Sequence, residues 1–136
     1  MKFLVDTSAL TRILREQADS GWDQLEDRGL LSVCEPALAE TLLIASSKNY
    51  AEQEQKIEAR YLPVRIPDGV WDLVAVIRRE LASHSAHRGP SVADLVIAAT
   101  AIRLKLTVLH EDGDFETVAR FVPELQQHRL SVGPPQ

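Results

Sequence analysis

Residues 91–114 read SVADLVIAATAIRLKLTVLHEDGD, and this stretch decides the fold. Ser91 is a favourable residue for capping a helix, and we predict the most apolar helix of the chain directly after it, over residues 92–104. Over most of that helix only Asp94 and one threonine are polar. The apolar run Leu106–Leu109 follows and predicts a buried strand. A buried helix that leads into a buried strand is typical of a parallel α/β sheet.

The alternation of strands and helices continues on both sides of this stretch. We predict strands over 2–5, 30–34, 62–66, 106–109 and 129–132, and expect the third at an edge of the sheet because it contains and precedes prolines. Helices are predicted to start near residues 9 and 22, and to cover 35–46, 50–60, 70–81, 92–104 and 115–121. This order indicates an α/β fold whose central, mainly parallel sheet is covered by helices on both faces.

Length and composition indicate one globular domain. The chain has 136 residues, of which 45% are hydrophobic and 26% charged, and this is enough to build a continuous core. We expect a single domain over residues 1–136, with 133–136 as a loose tail.

The only cysteine, Cys34, allows no internal disulfide, which fits a reducing compartment. Because Asp6 interrupts any signal-peptide core and no apolar run reaches membrane-spanning length, we expect a cytoplasmic protein without a membrane contact.

Acidic side chains follow two of the predicted strands. Asp6 comes directly after the first strand, and Asp112 and Asp114 come just after the strand that ends at Leu109. Ligands of open parallel α/β sheets gather beyond the carboxyl ends of the strands. Carboxylates are the ligands that Mg²⁺ and Mn²⁺ prefer, and two such ions can clamp the attacking and leaving oxygens of a phosphodiester. The spacing therefore favours a metal site at this edge of the sheet.

Asp94 is the most informative of the remaining acids. Its helix is apolar on nearly every side, so we expect the carboxylate to be buried, and a buried carboxylate needs a cap, a partner or a metal. Glu40, on the predicted 35–46 helix, is a weaker candidate because a single glutamate on a helix is most often a solvated surface group.

Each acid also has a purely structural explanation. Asp6 can cap the first helix, and Asp94 stands three residues after Ser91, which is the spacing of a capping box. Asp112 and Asp114 occupy a turn, where such residues are common without any catalytic role. The interpretation as a site therefore depends on their joint placement.

The net charge of −5 argues at first against a polyanionic substrate, because nucleic-acid binders usually present a basic surface. Without the five candidate site acids, however, 15 acidic residues face 15 basic ones.

Other enzyme signatures are mostly absent: the sequence has no phosphate-binding G-x-x-x-x-G-K-[ST] and no G-x-S-x-G, and its four histidines lack paired zinc spacing. A phosphatase with Asp6 as nucleophile is a distant alternative, since Ser8 stands where that chemistry would want a second carboxylate.

Four motifs together resemble the VapC-type PIN domain, the toxin of VapBC toxin–antitoxin pairs. They are Asp6-Thr7-Ser8 after the first strand, Glu40, the stretch 88–101 (RGPSVADLVIAATA) and the stretch 108–115 (VLHEDGDF). The resemblance implies a three-layer α/β/α fold and a magnesium-dependent ribonuclease that uses metal-activated water. It also implies an antitoxin that inserts a peptide near the acidic pocket.

Carried over residue by residue, the resemblance makes Asp6 and Asp94 the principal metal ligands. Glu40 would bind a second ion or orient water, and Asp112 or Asp114 would complete the pocket, with the choice between these two left open. Thr7 or Ser8 would hold a carboxylate or water by hydrogen bonding.

Partners are predicted less directly. Candidate RNA contacts are Arg12, Arg15, Lys48 and Arg88, because they lie close in sequence to the site motifs. A homodimer is expected, for which Trp22 and Trp71 could supply a face, although core packing explains both tryptophans equally well. The competing interpretation is a PIN-like protein whose acids only cap helices and which serves as a protein-binding module without catalysis.

Overall fold

The computed structural model describes residues 1–135, and its centre is a five-stranded sheet in which every neighbouring pair is parallel. The strands are β1 (Phe3–Val5), β2 (Leu31–Cys34), β3 (Leu62–Val64), β4 (Thr107–His110) and β5 (Gln126–Arg129). Their order across the sheet is β3-β2-β1-β4-β5, so the strand with Pro63 lies at an edge as predicted. The predicted parallel α/β sheet is confirmed.

The strand order reverses beside β1. The chain first adds β2 and β3 on one side of β1, and then crosses over to add β4 and β5 on the other side. In register, Val5 lies opposite Leu109, and the Asp6 amide donates to the Leu109 carbonyl at 3.0 Å. Neighbouring strands whose connections run in opposite directions leave a crevice at their carboxyl ends, where α/β proteins bind ligands. The residues that follow β1 and β4 therefore share one crevice.

Helices cover the two faces of the sheet and give the three-layer α/β/α architecture that the sequence implied. They are α1 (Thr7–Leu14), α2 (Gly21–Asp27), α3 (Glu35–Leu42), α4 (Tyr50–Arg60), α5 (Val70–Ser83), α6 (Val92–Leu104) and α7 (Gly113–Phe121). Helix α3 contacts α1 and α4, while α5, α6 and α7 contact one another. Helix α3 also contacts α6, which brings together the helices that carry Glu40 and Asp94.

The core is built on the central strands and on α6. All three residues of β1 are fully buried, as are most residues of α6 from Leu95 to Ala101. Trp22 packs edge-to-face on Phe3, with 5.4 Å between ring centroids, and its indole Nε1 donates to the Leu130 carbonyl at 3.2 Å. Trp22 therefore belongs to the core and cannot form a dimer face, whereas Trp71 is 62% exposed.

Two predicted elements have a boundary that was wrong by three residues or more. The last strand is Gln126–Arg129, and residues Leu130–Val132, which we predicted as its end, form a 3₁₀ turn. The strand was misplaced because it is polar, and its sequence QQHR has no apolar alternation to mark it. Helix α3 ends at Leu42, four residues before the predicted end, because the chain turns there before α4.

The chain end is held against α2 as far as Pro134. The His128 Nε2 lies 2.7 Å from the Gly133 carbonyl, and the Pro134 ring lies so close to Gly21 that a Cβ there would come within 2.8 Å of it. Gln136, the last residue of the predicted loose tail, lies outside the described residues. Within residues 1–135 no helix is both long and apolar enough to cross a membrane.

Candidate metal centre

Three of the predicted acids meet in the crevice beside β1 and β4. Asp6, Asp94 and Asp112 each present a carboxylate oxygen, and these three oxygens lie within 4.8 Å of one another. Asp6 immediately precedes α1, Asp94 lies in the first turn of α6, and Asp112 immediately precedes α7. The site is therefore assembled from the beginnings of three helices.

Asp6 is the most buried of the three, with 2% of its surface exposed. Its Oδ1 accepts the Ala9 amide at 2.9 Å, which caps α1, and the Ser8 hydroxyl lies 2.8 and 2.9 Å from its two oxygens. Burial raises the pKa of Asp6 from 3.8 to about 6, against the opposing effect of these hydrogen bonds, and the negative charge of Asp94 raises it further. The ionised carboxylate is thus held where its charge is costly.

Asp94 forms the capping box that its spacing from Ser91 predicted. The Ser91 amide donates to Asp94 Oδ2 at 3.0 Å, and the Asp94 amide donates to the Ser91 hydroxyl at 3.1 Å. The pKa of Asp94 is raised chiefly by burial, while the Ser91 hydrogen bonds lower it and the charges of Asp112 and Glu40 raise it. Asp94 is only partly buried, because it lies in the first turn of α6, before the buried part of that helix, so the expectation of a buried carboxylate was wrong. The cap and the placement among other acids exist together.

Hydrogen bonds hold both the side chain and the backbone amide of Asp112. Its Oδ1 accepts the Asp114 amide at 2.9 Å and caps α7, and its own amide donates to His110 Nδ1 at 3.0 Å. Since a backbone N–H can only donate, Nδ1 is an acceptor, and His110 is neutral with its proton on Nε2, which lies 2.7 Å from Gln127 Oε1. Burial lowers the pKa of His110 and favours this neutral form.

Glu40 and Asp114 flank the group of three without joining it. Glu40 is exposed on α3 and acts on Asp94 through its charge. The pKa of Asp114 is raised by partial burial and by the charges of Asp112 and Asp94. Its Oδ1 lies against the backbone of Gly89, where an added Cβ would approach it to 2.8 Å. Asp114 thus also contacts the loop that leads into α6.

The two hydroxyl residues after Asp6 differ in their surroundings. Ser8 Oγ contacts both oxygens of Asp6 and accepts the Glu111 amide at 2.9 Å, so it links the start of α1 to the turn after β4. The Thr7 hydroxyl is buried and makes no hydrogen bond to any residue of the described chain. Ser8 therefore has the contacts expected of a residue that orients a metal-binding carboxylate, and Thr7 does not.

The donor set fits a hard divalent cation. All three converging side chains are carboxylates, which suits Mg²⁺ or Mn²⁺ rather than a metal that prefers sulfur or imidazole. Burial chiefly, and the charges of neighbouring acids to a smaller extent, raise the pKa values of Asp6 and Asp94, so the protein compensates the charge of these carboxylates incompletely. A bound cation would supply the missing compensation.

The sequence as a whole matches known proteins. The profile of the PIN domain family matches residues 3–121, which include all five candidate acids. Ribonuclease VapC2 of Mycobacterium tuberculosis is 33% identical over 98% of this chain and 96% of its own length. Ribonuclease VapC17 of the same species is 33% identical over 96% of this chain and 97% of its own. The chain belongs to the VapC group of PIN-domain proteins.

Solved structures agree with this VapC-type fold. A VapBC2 complex from Rickettsia felis bound to a DNA fragment from its promoter contains a chain that matches with a TM-score of 0.76 at 18% identity, over 95% of this chain and 98% of that one. VapBC-1 from nontypeable Haemophilus influenzae matches with a TM-score of 0.77 at 14% identity, over 96% and 98% of the two chains. At such low identity these neighbours support the fold alone.

The basic residues predicted to hold RNA have different settings in this PIN domain, and within residues 1–135 only Arg12 has a contact to a residue next to the site acids. Arg12 is half-buried on α1, and its Nη1 donates to the Ser8 carbonyl at 2.9 Å, so its side chain is next to the segment that carries Asp6. Arg15, Lys48 and Arg88 are exposed. Arg15 also lines a cavity of about 410 Å³ between α1 and the α3–α4 region. Their role in binding RNA stays a prediction.

Sequence reasoning missed a second group of polar residues behind the site. His110 and Gln127 support the Asp112 backbone, and Glu111 and Arg129 are joined by an ion pair of 3.0 Å. His110 was considered only as a zinc ligand. The missed residues come from β5, the end of β4 and the turn after it, so no local pattern connects them, and only the polar character of QQHR gave a signal.

Proposed function

We propose that this VapC-type PIN domain is a Mg²⁺- or Mn²⁺-dependent endoribonuclease and acts as the toxin of a type II toxin–antitoxin pair. The observation that carries the proposal is the convergence of Asp6, Asp94 and Asp112 at the point where the strand order reverses. The similarity to ribonucleases named VapC2 and VapC17 supplies the class of reaction and of substrate.

In this proposal the three converging carboxylates hold the cation directly, and this favours Asp112 over Asp114 as the late ligand. Glu40 and Asp114, at the margin, accept hydrogen bonds from water that enters the crevice. When bound, a divalent cation of this type lowers the pKa of a bound water and stabilises negative charge on phosphate oxygens.

The protein's own contribution is positioning. Ser8 fixes the orientation of Asp6, the Ser91 amide fixes Asp94, and the Asp114 amide fixes Asp112, so each ligand is held before the cation binds. The first turns of α1, α6 and α7 all start at the crevice, and helix N-termini favour negatively charged groups such as phosphate. This arrangement suits an anionic substrate even in a protein with a net charge of −5.

The enzymatic part is tested with purified protein and a set of 5′-labelled structured RNAs, with and without Mg²⁺ or Mn²⁺. We expect metal-dependent cutting by the wild type, and its loss in Asp6→Asn and Asp94→Asn. Asp19→Asn is the matched control, because Asp19 is exposed and also accepts a backbone amide, from Gly21 at 2.7 Å. Circular dichroism checks the fold of each variant. Equal cutting by all four proteins would refute the nuclease and favour a protein-binding module without catalysis.

The second part of the proposal is that the protein is a toxin with an antitoxin partner. We propose a VapB-like antitoxin, supported by the VapBC complexes among the structural neighbours. Induced expression in the native host is expected to stop growth, and co-expression of a small neighbouring gene should restore it. Asp6→Asn should leave growth unaffected. Normal growth during expression of soluble wild-type protein would contradict the toxin assignment.

A homodimer is part of the same proposal. It rests on apolar side chains left exposed in the described chain, chiefly Trp71, since Trp22 lies in the core. Light scattering during size-exclusion chromatography should give a mass of twice 15.1 kDa, and Trp71→Ser should lower it. A wild-type mass of 15.1 kDa at micromolar concentration would contradict the dimer.

A further inference from the structure

Two side chains of β5 reach towards the turn between β4 and α7. Gln127 and Arg129 are two residues apart on the strand, so their side chains leave the same face of the sheet. In the parallel register, Arg129 lies opposite His110, the last residue of β4. The turn that carries Asp112 therefore begins directly beside Arg129.

Arg129 joins the turn to the first part of α7. Its Nη1 donates to Glu111 Oε2 at 3.0 Å, while its Nε and Nη2 donate to the two oxygens of Glu116 at 3.0 and 2.7 Å. Glu111 is held from a second side, because the amide and hydroxyl of Ser131 donate to its carboxylate, each at 2.9 Å. Three hydrogen bonds thus fix a glutamate that lies between His110 and Asp112.

Glu111 passes this constraint on to Asp6. Its backbone amide donates to Ser8 Oγ at 2.9 Å, and the same hydroxyl contacts both oxygens of Asp6 at 2.8 and 2.9 Å. A hydroxyl that accepts one hydrogen bond and donates another has its orientation set by both partners. The position of the Glu111 backbone therefore sets how Ser8 holds Asp6.

Gln127 constrains Asp112 through His110. Its Oε1 lies 2.7 Å from His110 Nε2, and His110 Nδ1 accepts the Asp112 amide at 3.0 Å. His110 is fully buried, so its ring has little freedom other than the orientation that these two contacts fix. The same strand thus constrains both Asp112 and, through Glu111 and Ser8, Asp6.

We propose that Arg129 is a positioning residue of the metal centre, which acts through Glu111 and the turn after β4 to hold Asp6 and Asp112 at the spacing that a divalent cation requires. The inference rests on the proposed function only in taking these acids as ligands. It does not depend on which substrate is cut, or on whether any is cut.

If Arg129 had a purely structural role, removing it would change the stability of the fold and leave the metal affinity unchanged. The Arg129 side chain is 30% exposed, and partly exposed ion pairs contribute little to stability. Removing it should therefore shift the melting temperature by no more than about 3 °C. Substitution of a group that supports a metal ligand, by contrast, typically lowers metal affinity by about 10- to 100-fold. Loss of metal affinity at nearly unchanged stability is the distinguishing result.

The test measures Mn²⁺ binding by isothermal titration calorimetry on the full chain without RNA. Arg129→Met keeps the unbranched stem of the side chain as far as the Nε position and removes the charged guanidinium, and we expect the dissociation constant to rise about tenfold or more. Arg129→Lys should recover part of the affinity, because an ammonium can still meet one carboxylate but not span both. Arg120→Met is the matched control: Arg120 lies on α7 over the Phe121 ring, has no ion pair within residues 1–135, and should bind Mn²⁺ as the wild type does.

A second variant and a second measurement keep the inference testable if Arg129→Met folds poorly. Glu111→Gln keeps an acceptor for Ser131 and weakens the pair with Arg129, and it should also bind Mn²⁺ less tightly. In a cleavage assay, both variants should need more metal for half-maximal rate, yet cut within about threefold of the wild-type rate at saturating metal.

The outcomes separate the two proposals. Wild-type Mn²⁺ affinity in both Arg129→Met and Glu111→Gln would overturn the positioning role and leave the nuclease assignment intact. A wild type that binds Mn²⁺ without cutting RNA would overturn the nuclease, while the affinity of the variants still decides the role of Arg129. A wild type that binds no Mn²⁺ at all would overturn both.

Discussion

Replacing Asp6 by asparagine should stabilise the metal-free protein while it destroys the metal centre. Asparagine is nearly isosteric and caps helices as well as aspartate, so the hydrogen bond from the Ala9 amide is kept. What the substitution removes is a charge on a side chain that is 2% exposed and close to Asp94. The change in stability therefore reports the cost of that charge.

The magnitude follows from the two proton affinities of Asp6. Its pKa is 3.8 ordinarily and about 6 in the folded protein. Because the folded pKa is raised, the unfolded chain loses the proton first as pH rises, and the folded state is penalised progressively between pH 3.8 and 6. Each tenfold difference in proton affinity is worth about 1.4 kcal/mol, so the penalty is about 0.5 kcal/mol at pH 4 and up to about 3 kcal/mol at pH 7.

The assay is urea unfolding in EDTA at pH 4 and pH 7 for the wild type, Asp6→Asn and the exposed control Asp19→Asn. Asp6→Asn should gain up to about 3 kcal/mol at pH 7 and far less at pH 4, which in thermal unfolding is a rise of several degrees. We expect no comparable gain for Asp19→Asn. In the same buffer without EDTA, free Mn²⁺ at 100 times its dissociation constant should return about 2.7 kcal/mol to the wild type and nothing to Asp6→Asn. An Asp6→Asn protein that is equally or less stable at pH 7, or that gains the same at both pH values, would refute the reasoning.

Three further predictions test other parts of the site and core. Asp112→Asn keeps the cap of α7 and should lower metal affinity more than Asp114→Asn, because only Asp112 joins the converging oxygens; calorimetry that gives the reverse order would make Asp114 the ligand. Ser8→Ala removes the links to Asp6 and to the turn after β4, and should lower the cleavage rate at limiting metal by about 10- to 100-fold, whereas an unchanged rate would show that Asp6 needs no support. Trp22→Ala should cost about 3–5 kcal/mol in urea unfolding because that side chain fills the core, while Trp71→Ala should cost less than about 1 kcal/mol in the monomer, and similar losses would contradict the described packing.

The sequence was sufficient to predict the sheet and three of the acids that meet at its edge. Asp6 was predictable, as was the pair Asp112 and Asp114, because they follow apolar strands and the carboxyl ends of neighbouring parallel strands must share one edge, but the sequence left the choice between Asp112 and Asp114 open. Asp94 was predictable from the contrast between its charge and the apolar helix around it. In each case a local pattern carried the information.

The support behind the acids could not be predicted in the same way. Arg129 meets Glu111 across 18 positions of sequence, and Gln127 meets His110 across 17, so these contacts depend on β5 lying beside β4. That strand is short, polar and at an edge, and its side chains form hydrogen bonds with the end of β4 and the turn after it instead of packing in the apolar core. Without an apolar alternation, the strand was placed three residues too late, and its polar residues had no assigned partners.

Capping and metal binding, which compete as explanations when the sequence is considered alone, are compatible in the structure. Asp6 and Asp112 each cap a helix through Oδ1, and Asp94 closes its capping box through Oδ2. In Asp94 and Asp112 the second oxygen has no hydrogen bond from the described chain, and in Asp6 the second oxygen is contacted only by Ser8. A cap fixes the side-chain torsions of an aspartate and leaves an oxygen free to face its neighbours, so three caps at three converging helices preorganise the three proposed ligands. The same helix N-termini partly offset the repulsion between the carboxylates. Asparagine at these positions keeps the cap and removes the charge, whereas alanine removes both, and comparing the two therefore separates the folding role of each acid from its role in binding metal.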